Sequence, residues 1–336
     1  MGTSAVIGGG AWGTALALQR AGHGDLVRVW AYEASVVEDI NSLRENRTFL
    51  PGVSLPENLT ATGSLPEALS AADLVFIVCP SHVMRPLMRD AAAHVPPGVP
   101  LISAAKGIEN ETLMVMSEVL EDVLPRALHP MLTFLSGPSF AKEVAHGMPT
   151  AVCVAARDED VAVRVQETIS TSTFRVYTSN DVIGVELGGA LKNVLAIAAG
   201  AADGLGFGMN TSAALITRGL AEMSRLALKR GANPMTLAGL AGMGDLVLTC
   251  NGSLSRNRLV GQKLGQGLSL DQIVSEMRQV AEGVKTAKAA HLLAQREGVE
   301  LPICTAVYRM LYEGLSPRAA VSELMSRSLK KEMHGL

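Results

Sequence analysis

A glycine-rich turn close to the start of the chain is the feature that most constrains its fold. A short apolar run leads directly into Gly8-Gly9-Gly10-Ala11-Trp12-Gly13, and a segment that favours helix follows. In this spacing Gly8 makes the tight turn, Gly10 lets the backbone approach a pyrophosphate, and Gly13 lets helix and strand pack closely. The N–H groups at the helix start offer partial positive charge to phosphates. With Glu33 twenty residues beyond Gly13, the pattern predicts a dinucleotide-binding turn.

The first half of the chain alternates short β-branched runs with helical stretches, which predicts a mostly parallel α/β sheet. The stretch Asn46–Pro66 contains three prolines and is predicted as a long surface loop. The predicted strands are Ser4–Ile7, Val27–Ala31, Leu59–Thr62, Leu74–Val78, Leu101–Ala104, Leu132–Leu135, Ala151–Ala155 and Phe174–Tyr177. Helices are predicted at Ala11–Arg20, Val83–Ala93, Leu113–Leu124 and Asp160–Ser170.

After Asp181 the strand pattern stops and only helical patterns remain. Because 336 residues exceed what one core usually supports, we expect two domains. These are a Rossmann-type dinucleotide-binding domain at 1–180 and an all-helical substrate and catalytic domain at 181–336. The helices predicted in the second domain are Asp181–Asp203, Thr211–Arg230, Leu270–Val280, Ala281–Glu297 and Pro317–Lys331.

Composition excludes several classes of function. A formal net charge of -3 gives no general attraction to nucleic acid or to an anionic membrane, so local cations must hold any anionic ligand. The uncharged run at 1–19 is interrupted by glycines and predicts no membrane insertion. The four cysteines have no C-x-x-C spacing and the histidines form no metal motif, which predicts a reduced, cytoplasmic protein without a bound metal. Helices of the second half could pack within one chain or across a homodimer.

One lysine stands alone in a long apolar helix. Between Glu186 and Asp203 the only charged residue is Lys192, and its neighbours at helical spacing are glycine and alanine. Such a helix is typical of a protein interior. A desolvated lysine has a lowered pKa, which a proton-transfer catalyst can use.

Three further segments supply polar groups near the ends of predicted elements. Lys106 follows a strand, Asp245 follows two glycines, and Ser255-Arg256-Asn257-Arg258 follows an Asn-Gly turn. The hydroxyl, guanidinium and amide of the last segment suit a phosphate dianion. Taken singly, these residues also fit a loop lysine, a helix-capping aspartate, and a capping serine before surface arginines.

Together these segments resemble the bacterial-type NAD(P)-dependent glycerol-3-phosphate dehydrogenases along nearly the whole chain. The family implies the same two-domain fold, with NAD or NADP as cofactor and a small phosphorylated triose as substrate. The matching strings are 8–18 (GGGAWGTALAL), Pro80-Ser81-His82, Ala105-Lys106-Gly107, 136–143 (SGPSFAKE), Lys192-Asn193, 203–208 (DGLGFG), 217–223 (TRGLAEM), 244–250 (GDLVLTC), Ser255-Arg256-Asn257 and Glu282-Gly283.

The resemblance implies a role for each matching residue. Lys192 would exchange a proton with the C2 oxygen of the substrate, and Lys106 would polarise the same group. Asn193, Asp245 and Thr249 would orient that lysine and the substrate hydroxyls. The substrate site would also include Gly137, Ser139, Ser255, Arg256 and Asn257, the last three around the phosphate. The cofactor would contact Gly8, Gly10, Ala11, Trp12, Gly13, Tyr32, Glu33, Lys106, Ala141, Arg256, Val280 and Glu282.

Two departures from the family pattern concern the cofactor. Ala11 replaces a Ser or Asn that would hydrogen-bond the pyrophosphate. The second strand ends in Trp30-Ala31-Tyr32-Glu33, where many bacterial members place a His or Arg pair that tolerates a 2′-phosphate. Because Glu33 would accept from a ribose 2′-hydroxyl and repel a phosphate, the sequence predicts a preference for NAD over NADP.

Three alternatives remain open on the sequence alone. A 3-hydroxy acid dehydrogenase or a ketopantoate reductase would share the two-domain plan and its lysine. A nucleotide-binding protein without catalysis would keep the fold, since fold does not prove function. A methyltransferase could carry a similar glycine loop but offers no role for the lysines and arginine.

Overall fold

The computed structural model describes residues 2–277, 281–329 and 331–332. Residue contacts divide the chain into two compact units, one made of Met1–Ala105 and Met116–Val182 and the other of Lys106–Val115 and Ile183–Leu336. The main boundary lies two residues from the position expected from the sequence. The segment 106–115, which the sequence places in the first domain, instead joins the helical unit because its apolar side chains Ile108 and Val115 lie in that unit's core.

The first unit is built on one eight-stranded sheet with the order β10-β9-β8-β7-β6-β1-β2-β5. Neighbouring strands are parallel except β8 and β9. The order β5-β2-β1-β6-β7-β8 is that of a dinucleotide-binding fold, with its topological switch point between β1 and β6. The strands are β1 Thr3–Ile7, β2 Leu26–Trp30, β3 Glu45–Asn46, β4 Leu50–Ser54, β5 Leu59–Thr62, β6 Leu74–Ile77, β7 Leu101–Ser103, β8 Leu132–Ser136, β9 Thr150–Ala156 and β10 Phe174–Ser179, with β3 and β4 forming a separate antiparallel pair.

The sequence-based prediction of eight strands is confirmed, with small shifts of their ends. The helices of this unit are α1 Ala11–Gly22, α2 Ala34–Glu38, α3 Leu65–Leu69, α4 Met84–Ala91, α5 Met116–Val123, α6 Ala141–Ala145 and α7 Glu159–Ile169. The predicted surface loop at Asn46–Pro66 is wrong. That stretch contains β4 and β5, and its apolar side chains Leu50, Val53 and Leu55 are buried in the core.

The regular elements of the second unit are helices in its described residues, apart from one isolated antiparallel bridge between Ile108 and Val115. Its helices are α8 Val182–Gly204, which begins at the last residue of the first unit, α9 Met209–Lys229, α10 Asp245–Asn251, α11 Arg256–Gly265, α12 Leu270–Glu276, α13 Glu282–Glu297, α14 Pro302–Tyr312 and α15 Pro317–Met325. Three of them, α10, α11 and α14, are not predicted from the sequence. α8 is long and apolar enough to cross a membrane, but 94% of its most apolar window is buried in the protein, as in a core helix.

Glycines bring the backbones of α8 and α11 into direct contact. A Cβ added to Gly200 would lie 2.0 Å from the carbonyl oxygen of Arg258, and one added to Gly261 would lie 2.0 Å from that of Ile197. Neither contact can be relieved by rotating a side chain, because each involves backbone atoms. This packing fixes the start of α11 relative to the middle of α8, where the polar residues of the helical unit meet.

We therefore expect Gly200→Ala to reduce the free energy of unfolding by about 3 kcal/mol, the upper end of the usual cost of overpacking. Urea denaturation followed by far-UV circular dichroism measures this loss. The control is Gly22→Ala in α1, where an added Cβ meets nothing within 4 Å. Equal stability of the two variants would show that α8 and α11 can separate without cost.

Candidate active site

A buried carboxylate in the helical unit bridges two lysines. Asp245, the first residue of α10, accepts a hydrogen bond from Lys192 Nζ on Oδ1 at 2.5 Å and from Lys106 Nζ on Oδ2 at 2.6 Å. Asp245 and Lys192 are 1% and 7% exposed. The sequence singled out these three residues separately, and the fold brings them together into one cluster with a net charge of +1.

Thr249 completes the surroundings of the Lys192 ammonium. It lies one turn beyond Asp245 on α10, accepts from Lys192 Nζ at 2.8 Å and donates to the backbone oxygen of Asp245 at 2.6 Å. An ammonium has three N–H groups, and within the described residues two of them are directed at Asp245 and Thr249. The third remains for a ligand oxygen.

Burial adjusts the pKa values of this cluster. Desolvation lowers the pKa of Lys192 to about 8; Lys106 contributes to this lowering and Asp245 opposes it. For Asp245 burial works toward a higher pKa, but Lys106 and Lys192 together outweigh it and hold the pKa of the carboxyl below its ordinary value. Asp245 is thus a carboxylate between two cations, and Lys192 titrates near neutral pH.

The start of α11 lies next to this cluster through a pair of amides. Asn257 Nδ2 donates to Asn193 Oδ1 at 2.9 Å, and both side chains are buried. Ser255 is the N-cap of α11, and its hydroxyl accepts from the backbone N–H of Arg258. The capping role that the sequence left open for Ser255 is therefore present, and the cap bond does not use its hydroxyl proton.

Arg256 is the first residue of α11 and is exposed as a whole. Desolvation nevertheless lowers the pKa of its guanidinium, an effect that Glu282 at the start of α13 opposes. Arg256 and Glu282 are the arginine and carboxylate predicted for the phosphate and cofactor sites. Val280, which the resemblance also predicts as a cofactor contact, lies outside the described residues.

The glycine turn of the first unit has the geometry that its spacing predicts. Gly8 N donates to Trp30 O at 3.0 Å, and a Cβ on Gly13 would lie 1.9 Å from Gly8 O. Gly10 is the N-cap of α1 without a side-chain cap, and a Cβ there would meet nothing within 4 Å. The uncapped helix start beside open space fits the phosphates of a dinucleotide. Ala11 and Trp12 form the first turn.

Asn46, which the sequence does not single out, supports the glycine turn from a distant part of the chain. Its side chain is fully buried and its Nδ2 donates to Gly9 O and to Thr14 Oγ1, both at 2.8 Å. It thereby ties the turn to the first helix. An asparagine in a proline-rich stretch is typical of an ordinary turn, so its sequence carries no signal of this role.

The remaining predicted residues of the first unit lie at the ends of its elements. Gly137 follows β8 with φ of 141°, and Ser139 Oγ donates to its carbonyl oxygen at 3.0 Å. Ala141 begins α6. Beyond β2, Tyr32 is 84% exposed, and Glu33 is the N-cap of α2 without a side-chain cap bond, so its carboxylate is accessible.

No group of three or more His, Cys, Asp or Glu side chains in the described ranges is placed to hold a metal ion. The four cysteines are all free thiols. Burial raises the pKa of Cys250, which follows Thr249 on α10, to about 12, so this thiol is not a nucleophile at neutral pH.

Comparison with known proteins gives one consistent family. The family description NAD-dependent glycerol-3-phosphate dehydrogenase N-terminus matches residues 3–162, and its C-terminus counterpart matches residues 181–322. A protein from Anaeromyxobacter sp. strain K named glycerol-3-phosphate dehydrogenase (NAD(P)+) is 57% identical over 98% of this chain and 99% of its own length. One of the same name from Geobacter sulfurreducens is 57% identical over 97% and 98%.

Solved structures agree with the sequence comparison. Glycerol-3-phosphate dehydrogenase from Coxiella burnetii is 39% identical, with a TM-score of 0.92 over 97% of this chain and 99% of its own. A ketopantoate reductase from Ralstonia eutropha, 16% identical over 95% of this chain and 99% of its own with a TM-score of 0.60, shares the fold alone. The full-length identity and the two matched halves leave no ambiguity: the chain belongs to the NAD-dependent glycerol-3-phosphate dehydrogenase family.

Proposed function

We propose that the protein interconverts dihydroxyacetone phosphate and sn-glycerol 3-phosphate with NAD(H) or NADP(H), and so serves glycerophospholipid synthesis in the cytoplasm. The observation that carries this proposal is the buried Lys192 ammonium: its hydrogen-bond partners in the described part of the chain are Asp245 and Thr249, which leaves one N–H for a ligand oxygen. In the reducing direction C2 of the ketone gains a hydride and its oxygen gains a proton. When bound, the reduced nicotinamide supplies that hydride.

Lys192 is the proton donor in reduction and the base in oxidation. Its pKa of about 8 makes both protonation states accessible near neutral pH, which is what general acid–base catalysis requires. Asp245 holds the ammonium in place, and Lys106 on its other oxygen adds positive charge where the substrate oxygen becomes negative. Thr249 and Asn193 orient the lysine and the substrate hydroxyls.

The cofactor site is assigned to the glycine turn and its surroundings. The N–H groups at the start of α1 would hold the pyrophosphate, with Gly8 and Gly13 shaping the turn. Glu33 would accept from the ribose 2′-hydroxyl. Tyr32, Ala141 and Glu282 are assigned as further cofactor contacts from the family resemblance, as is Val280, which the structure does not describe.

The phosphate of the substrate is assigned to the start of α11. Arg256 can offer two parallel N–H groups to phosphate oxygens, and the Ser255 hydroxyl and the Asn257 amide lie beside it. Gly137 and Ser139 are assigned to the substrate site from the family resemblance. This proposed phosphate-binding site distinguishes the proposal from the ketopantoate reductase and 3-hydroxy acid dehydrogenase alternatives, whose substrates carry no phosphate. A homodimer remains a prediction from the sequence.

The direct test is absorbance at 340 nm with dihydroxyacetone phosphate and each reduced nicotinamide in turn. We expect turnover with both and kcat/KM at least about tenfold larger with NADH, because Glu33 repels the 2′-phosphate of NADPH. Glu33→Gln should reduce the difference in kcat/KM between NADH and NADPH, because it removes the negative charge. A much larger kcat/KM with NADPH would contradict the NAD preference, and absence of turnover with either would contradict the activity itself.

Replacing Lys192 by alanine removes the proton donor and should lower kcat by about 1,000-fold, within the range of general acid–base effects. The dissociation constant of NADH, measured by fluorescence, should stay within threefold of the unmodified enzyme since the glycine turn is intact. Lys229→Ala, at the exposed end of α9, is the matched control. Full activity of Lys192→Ala would remove this lysine from the mechanism and favour a non-catalytic site.

Loss of Arg256 should act on substrate binding. We expect Arg256→Ala to raise KM for dihydroxyacetone phosphate about 30-fold, since hydrogen bonds to charged groups contribute roughly 1.5–3 kcal/mol, with a smaller change in kcat. Initial rates measured against substrate concentration give both constants. The control is Arg318→Ala, at an exposed position on α15. An unchanged KM would place the phosphate elsewhere.

A further inference from the structure

A relay of hydrogen bonds connects the start of α13 to the middle of α8 by way of α11. The backbone N–H of Gly283 donates to Asn257 Oδ1 at 2.9 Å. Asn257 Nδ2 in turn donates to Asn193 Oδ1 at 2.9 Å. Asn193 Nδ2 has a long contact of 3.5 Å with Gly189 O, one turn earlier on its own helix. All four groups are buried, so their partners are fixed by the protein.

The backbone N–H at one end of this relay sets the direction of every bond in it. A backbone N–H can only donate, so Asn257 must turn its oxygen toward Gly283 and its NH2 toward Asn193. Asn193 must then accept on its own oxygen. Among the residues that the structure describes, its NH2 has a single long contact, to Gly189 O at 3.5 Å, so it is able to donate to a ligand oxygen. Alone, an asparagine amide could adopt either orientation.

The position of Gly283 admits no side chain. A Cβ there would lie 2.6 Å from Asn193 O and 2.6 Å from Asn257 Oδ1, closer than carbon and oxygen atoms approach without displacement. The two atoms that a side chain would strike belong to the two asparagines of the relay. The close approach of α13 and the direction of the relay therefore depend on the same glycine.

We propose that Gly283 is a positioning residue for the reaction: its N–H, acting through Asn257, holds Asn193 as a hydrogen-bond donor toward an oxygen of the substrate. This proposal rests on the proposed function, because it needs a substrate oxygen beside Lys192. The proposal adds to the site a residue that has no side chain. It also states that the free hydrogen-bonding group of Asn193 is its NH2, so that Asn193 donates to the substrate and does not accept from it.

The first test is kcat for dihydroxyacetone phosphate reduction by Gly283→Ala. We expect at least a tenfold loss, because the added Cβ displaces the start of α13 and releases Asn257. Gly208→Ala is the matched control, since Gly208 is also at the start of a helix of this unit and a Cβ there meets nothing within 4 Å. Wild-type kcat in Gly283→Ala would overturn the proposal.

The second test, Asn257→Asp, keeps the shape of the relay and reverses one bond. The ionised carboxylate still accepts from Gly283 but presents a second acceptor to Asn193 Oδ1, so Asn193 turns its NH2 inward and no longer donates to the substrate. When protonated, the introduced carboxyl can donate and restore the original direction. The ratio of kcat for Asn257→Asp to kcat for the unmodified enzyme should therefore rise as pH falls, toward tenfold per pH unit.

The ratio is measured with saturating substrate, so that repulsion of the phosphate by the introduced carboxylate does not enter. It is measured below pH 7, where Lys192, with a pKa of about 8, is mostly protonated in both enzymes. The charges of Arg256 and Glu282 are common to both. A role of Asn257 in packing alone predicts a ratio that does not change with pH, and that result overturns the proposal even where Gly283→Ala fails to fold. An unmodified enzyme inactive on dihydroxyacetone phosphate would instead contradict the proposed function, so the two failures are distinguishable.

Discussion

The polar cluster of the helical unit depends on one ionic interaction, in which the carboxylate of Asp245 lies between two ammonium groups. Two like charges about 4 Å apart repel by roughly 4 kcal/mol at the dielectric typical of protein sites, and the negative charge of Asp245 offsets such repulsion between Lys106 and Lys192. Each carboxylate oxygen takes one ammonium, at 2.6 and 2.5 Å. The same interaction connects the chain segments around residues 106, 192 and 245. It leaves one net positive charge, which in the proposed reaction would stabilise the negative charge that develops on the substrate oxygen.

The backbone contact between α8 and α11 places a second polar pair, Asn193 and Asn257, in the same unit as the Asp245 cluster. Where glycines face each other across two helices, the distance between the helix axes is set by backbone atoms that cannot change rotamer. Asn193 and Asn257 project from these two helices and meet at 2.9 Å. Groups held on helices in direct contact are positioned more accurately than groups on loops. Lys192 and Arg256, which we propose as the proton donor and a phosphate ligand, both belong to this pair of helices.

The sequence predicts the sheet well and the site only residue by residue. Buried parallel strands are continuous apolar runs, and the glycine turn has a fixed spacing, so both are visible in the chain. Asp245 follows an irregular π-helical turn at Leu240–Gly244, a structure with no simple sequence pattern. Three features arise only from tertiary structure. Asp245 pairs with both lysines, Asn46 holds the glycine turn, and the segment 106–115 joins the helical unit. Local patterns contain no information about them.

Selection of an anionic substrate by a chain with a net charge of -3 must be local. The cluster of Lys106, Lys192 and Asp245 carries +1, and Arg256 adds a guanidinium whose pKa Glu282 raises and desolvation lowers. Because Glu282 already balances Arg256 in part, a ligand with a single negative charge gains little by competing for that guanidinium. A phosphate dianion brings twice the charge of a carboxylate, whereas Arg geometry suits the oxygens of both anions. Under the proposed assignment of Arg256 to the substrate phosphate, this difference in charge favours a phosphorylated substrate over a simple carboxylic acid.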